Sequence, residues 1–156
     1  GIPWRGTPSY LLAEPGSDSG PLLLVKPMTS MNRSGLAVHT VVGRFGVALE
    51  DMLVVGDDVN LEPGCVRFRR KGSDGGHRGL RSIANSLGDA GFPRLRLGVG
   101  MPPDGIDMID HVLNGFREDE AERVERMVRA AADGVMCWST LGLDVAMNRY
   151  NIVEVH

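Results

Sequence analysis

The sequence predicts an α/β domain in which a mixed, twisted sheet is flanked by helices, and three observations predict it. Short apolar or alternating runs at Pro21–Lys26, Met52–Gly56, Cys65–Lys71 and Arg94–Val99 have the length and punctuation of strands. Apolar residues elsewhere recur at three- and four-residue spacings, most extensively from Glu118 onward. The resulting order, strand, helix, strand, strand, helix, strand, helix, is that of a sheet with helical crossovers. At 156 residues and 42% hydrophobic content, a single core suffices.

Residues 1–20, with four Gly and three Pro, read as an extended lead-in with a short edge strand around Ser9–Ala13. Pro21–Lys26 reads as a buried strand. A helix follows, with Ser30 as its cap, Leu36, Val38, Val41, Val42 and Phe45 as its apolar side, and Gly46 as its stop. Met52–Gly56 is a second buried strand ending in Asp57-Asp58. In Cys65–Lys71, Val66 and Phe68 face one way and Arg67, Arg69 and Lys71 the other. The glycine-rich stretch Gly72–Gly76 turns into a helix from His77 to Leu87, closed by Gly88. Arg94 and Arg96 share one face of the next strand, so two strands are expected to expose rows of arginine. The last helix places Ala121, Val124, Met127, Val128, Ala131, Val135 and Trp138 on one side, with acids in its first turn.

Net charge is −3, but its distribution matters more than its total. Between Cys65 and Arg96, eight basic residues stand against two acids, a local excess of six positive charges on an otherwise acidic chain. A localised phosphate-binding face has that pattern. No apolar run approaches the roughly 18 residues of a membrane span, and the N-terminal stretch lacks the order of a secretory signal. Cys65 and Cys137 form no CxxC or Cys/His spacing, so they read as reduced thiols and no metal or cofactor is expected.

Taken alone, Asn32 in Met-Asn-Arg-Ser-Gly is a helix-terminus residue bonding local backbone, Asp57-Asp58 a solvated turn, and Gly75-Gly76-His77 either a plain turn or a close-approach loop before a helix. Read together, MNRSG at 31–35, VVGDDVNLEPG at 54–64 and RRKGSDGGHRGL at 69–80 resemble the motifs of the bacterial-type peptidyl-tRNA hydrolase family, in the family's order. The resemblance covers about residues 21–150, which it marks as the domain, with 1–20 a lead-in and 151–156 a tail. It implies that Asn32, His77 and Arg78 lie at the substrate-binding site, and that Asp57 is the carboxylate that orients a catalytic histidine. That carboxylate fixes the imidazole's tautomer so that the other ring nitrogen can take a proton from water. It also implies that Arg69 and Arg96 clamp a tRNA phosphate, with Arg67 and Lys71 beside them on the basic face.

Two departures shape the functional expectation. The family's first, central strand, its Gly-Asn-Pro-Gly turn and the histidine after it have no counterpart here. His39 lies seven residues after Asn32, roughly 10 Å along a helix, and is a poor substitute. The family's asparagine after Gly-Gly-His is Arg78, a donor-only cation in place of an amide that both donates and accepts. These favour a non-catalytic, RNA-contacting component of a ribonucleoprotein such as an organellar ribosome, with tRNA or rRNA and ribosomal proteins as partners. The location would then be cytoplasm or an organellar matrix, mitochondrion or plastid, rather than secreted. The alternative is part of an active hydrolase cleaving the ester between peptide and tRNA.

Overall fold

The computed structural model describes residues 2–16 and 22–151, in two compact units: Gly1–Val54 with Arg70–Pro93, and Val55–Arg69 with Arg94–His156. Pro21, which opens the expected second strand, and His156 lie outside the described residues.

In the first unit, β1 (Arg5–Gly6), β2 (Tyr10–Ala13) and β3 (Leu24–Pro27) form an antiparallel sheet. The strand around Ser9–Ala13 is therefore not an edge but the middle one, paired with β1 through Arg5↔Leu12 and with β3 through Leu12↔Val25. Tyr10 and Leu12 are buried against Ala37 and Val41, and the Tyr10 hydroxyl accepts a hydrogen bond from Arg44 Nη1 at 3.2 Å. β3 is only half-buried, because it lies at the sheet's edge.

A 3₁₀ turn at Met31–Arg33 leads into α1 (Ser34–Phe45). Ser30 makes no capping bond to the backbone; its hydroxyl donates instead to Asn32 Oδ1 at 2.9 Å. Gly46 ends α1 at φ 64°, as its position predicts. The inward face is Ala37, Val38 and Val41, whereas Leu36 and Phe45 are exposed, so the apolar stripe is narrower than its spacing suggested. α2 (Arg78–Leu87) buries Leu80 and Ile83 with Phe92, flanked by Val38, Met52 and Val54. Gly88, at φ 69°, closes it.

The second unit holds a sheet in the order β4 (Val54–Asp58), β6 (Arg94–Gly98), β5 (Val66–Arg69). β5 and β6 are antiparallel, with Arg67 opposite Arg96 and Arg69 opposite Arg94. The α/β class holds, with the described strands divided between two three-stranded sheets. A short α3 (Met108–Leu113), capped by Asp107, precedes α4 (Ala121–Leu141) and α5 (Leu143–Tyr150). The buried stripe of α4 is Met127, Ala131, Gly134 and Cys137, while Ala121 and Val128 face solvent. At Gly134 the helix meets β5: a Cβ there would lie 2.8 Å from Phe68 Cε2. The Asn151 carboxamide brackets the same residue, accepting from Phe68 N at 2.6 Å and donating to Phe68 O at 3.1 Å. Among the described residues, no helix is long and apolar enough to cross a membrane.

Candidate functional site

In the first unit, the site is assembled where α1 and α2 come closest. Gly35 allows that approach, since a Cβ there would lie 2.2 Å from the Ser82 carbonyl oxygen, and Gly35 N–H donates to Ser82 Oγ at 3.0 Å. Asn32, in the turn leading into α1, is thereby brought beside α2, and with Arg78, Arg81, Ser82 and Asn85 it lines an open depression of about 290 Å³. Of the residues predicted for substrate, Asn32 and Arg78 thus share one hollow. Arg81, Ser82 and Asn85 were not singled out from the sequence. Their spacing from Arg78, i+3, i+4 and i+7, is the signal that finds them, because it describes one face of a helix.

His77 stands at the head of α2 as its cap: Nδ1 accepts from Gly79 N at 3.1 Å and from Leu80 N at 3.2 Å. The preceding turn needs its glycines, Gly75 at φ 58° and Gly76 at φ 87°. Asp74 ties this turn to α2, accepting from Gly76 N at 2.8 Å and pairing with Arg81 at 3.1 Å. The Arg81 guanidinium is held above its usual pKa by the hydrogen bond and charge of Asp74. Lys71 falls beyond the end of β5, so it does not continue the strand's alternation, and it is exposed.

In the second unit, cross-strand pairing puts Arg67, Arg69, Arg94 and Arg96 on one face of β5 and β6. It does not expose all four. Arg94 is only 3% exposed, and the Arg96 guanidinium forms an ion pair with Asp58, whose side chain is almost wholly buried. Asp58 in turn accepts from Asn60 N at 2.9 Å. The expected exposed rows of arginine are therefore reduced to Arg67, Arg69 and Arg96, all half-exposed, with Arg96 held by its pair with Asp58. Period two forces this partition: Asp58 must face opposite to Asp57 along β4. Asp57, half-buried, occupies the strand beside it.

The three described histidines have other positions. His39 is exposed on α1, His77 caps α2, and His111 Nε2–H points to the carbonyls of Val99 and Gly100 at 3.2 and 3.1 Å. Among the described residues, no three His, Cys, Asp or Glu side chains gather as metal ligands would.

A family model described as peptidyl-tRNA hydrolase matches residues 7–156. The chain is 48% identical over 130 residues to the peptidyl-tRNA hydrolase of Syntrophomonas wolfei, covering 83% of this chain and 70% of that protein. It is 45% identical over 136 residues to that of Symbiobacterium thermophilum, covering 87% and 72%. The crystal structure of peptidyl-tRNA hydrolase from Acinetobacter baumannii superposes with a TM-score of 0.90 at 28% identity, covering 99% of this chain and 80% of that one. These relatives bear the enzyme's name, so the expected non-catalytic role in a ribonucleoprotein gains no support and the hydrolase alternative fits better. They give no support either to ribosomal protein partners or to an organellar location.

Proposed function

The chain belongs to the peptidyl-tRNA hydrolase family, and from that membership we propose that it acts on the ester joining a peptide to tRNA. The observation that carries the proposal is a match extending over residues 7–156, together with relatives so named at 45–48% identity. In this reading Asn32, His77 and Arg78 meet the 3′ region of the substrate. Arg67, Arg69 and Arg96 meet phosphates, Arg96 while paired with Asp58, and Lys71 is a further cation. Asp57 is the carboxylate that orients a general-base imidazole. None of the three described histidines is that imidazole: one is exposed on a helix, one caps α2 through Nδ1, and one bonds carbonyls near α3.

That no such imidazole stands among the described residues makes the proposal testable. General-base assistance is worth about 10²–10⁴ in rate. Added imidazole should accelerate release of an N-acetylaminoacyl group from tRNA by this chain above the protein-free background. Asp57→Asn should remove that acceleration while leaving tRNA binding in place. The reading fails if the chain does not bind tRNA, or if imidazole accelerates cleavage equally in the Asp57→Asn protein.

A further inference from the structure

The hollow on α2 has a chemistry of its own. Arg78 and Arg81 can only donate hydrogen bonds. The Oδ1 of Asn32 already receives the Ser30 hydroxyl, which leaves its amide N–H groups to give. Ser82 Oγ already receives the Gly35 N–H, which leaves its O–H to give. Asn85 adds a further amide. The lining therefore presents donors from two helical segments and contains neither a carboxylate nor an apolar side chain.

Charge points the same way. Asp74 offsets one of the two guanidiniums through its pair with Arg81, whereas Arg78 has no ion-pair or hydrogen-bond partner among the described residues. The first N–H groups of α2 are already taken by His77, so attraction to an anion comes from side chains and not from the helix terminus. About 290 Å³ is roughly ten waters at ~30 Å³ each, room for one partly hydrated phosphate group. A base or an apolar peptide side chain would look for aliphatic or aromatic side chains, and none is among the residues that line the hollow.

We propose that this hollow is a phosphate subsite holding one phosphodiester of the single-stranded 3′ end of tRNA. It is built on α2 and is additional to the arginines of β5 and β6. The inference rests on the proposed action on tRNA, and it extends that reading to Arg81, Ser82 and Asn85 and to a defined chemical group.

The test is equilibrium binding, across a series of salt concentrations, of an intact tRNA and of the same tRNA lacking its last three nucleotides. With intact tRNA, Arg78→Gln should weaken binding and lower the slope of log affinity against log salt by about 0.7, the value for one lost single-strand phosphate contact. Asn85→Asp, which adds a negative charge at an exposed position, should weaken binding in the same direction. With trimmed tRNA both variants should match the unmodified chain, and Arg123→Gln on α4 should match it throughout. Unchanged affinity and slope for Arg78→Gln and Asn85→Asp on intact tRNA would overturn the subsite while leaving the family function standing. Equal losses on intact and trimmed tRNA would place the contact elsewhere and also overturn it. Failure of the unmodified chain to bind either RNA would strike the functional reading first.

Discussion

The same substitution at two glycines of α1 should have opposite signs. Gly43→Ala places a Cβ with nothing within 4 Å, so it should gain only the helix-propensity difference and stabilise by about 0.5–1 kcal/mol. Gly35→Ala places a Cβ 2.2 Å from the carbonyl oxygen and 2.7 Å from the carbonyl carbon of Ser82, where ordinary contact begins near 3.4 Å. Those are backbone atoms of α2 and cannot rotate aside. Relief requires the helices to separate, which strains the packing by about 1–3 kcal/mol. Separation also stretches the 3.0 Å bond from Gly35 N to Ser82 Oγ, a loss of about 1 kcal/mol. Less about 1 kcal/mol of propensity, Gly35→Ala should be about 1–3 kcal/mol less stable than the unmodified chain. Urea unfolding followed by far-ultraviolet circular dichroism, with slopes compared to exclude a change in the unfolded state, measures both. If Gly35→Ala proves as stable as Gly43→Ala, the close approach that brings Asn32 beside α2 is not real.

Two further predictions concern the second unit. Asp58→Asn should cost about 2–3 kcal/mol, below the usual range for a broken buried pair because Arg96 still reaches water; a double-mutant cycle with Arg96→Met should give a coupling above about 1 kcal/mol, and one below about 0.5 kcal/mol would reject the pair. Replacing Arg67 and Arg69 together with Ala should weaken tRNA binding and flatten its salt slope by roughly 1.4–1.8, two phosphate contacts' worth, with little loss of stability. An unchanged slope would remove phosphate contact from that face.

Much of the fold follows from local signals whose physical cause is also local. His77 and Gly88 bound α2 because a side-chain acceptor at one end and a left-handed glycine at the other are properties of single residues. The alternation of Val66 and Phe68 against Arg67 and Arg69 likewise needs only the pleat. What sequence could not rank was depth. Arg69 and Arg94 stand on the same face and read alike, yet only Arg94 is buried, which depends on what lies over each strand. Tyr10–Ala13 was underrated for a similar reason: the surrounding Gly and Pro mark turns, but whether a four-residue strand sits inside or at the edge is decided by partners that its own sequence does not contain. The candidate site divides in the same manner. Asn32, Asp57 and Arg78 stood out through motif resemblance, whereas Arg81, Ser82 and Asn85 follow from helical geometry once Arg78 is fixed. Asp58 reads from sequence only as part of a solvated Asp57-Asp58 turn, and its grip on Arg96 could not be read without the pairing of strands.

The Asn151 carboxamide closes one margin of the second sheet at a single residue. An unpaired strand normally offers its N–H and C=O groups to any passing chain. At Phe68, near the middle of β5, both groups are already occupied by a single side chain from the end of α5, an amide standing in for a strand. At that residue the margin is closed by an imitation of the very partner it excludes. Since β6 lies between β5 and β4, among the described strands it is β4, with Val55 half exposed, that forms the other margin of this sheet, and no such imitation of a strand is needed where β5 and β6 already pair.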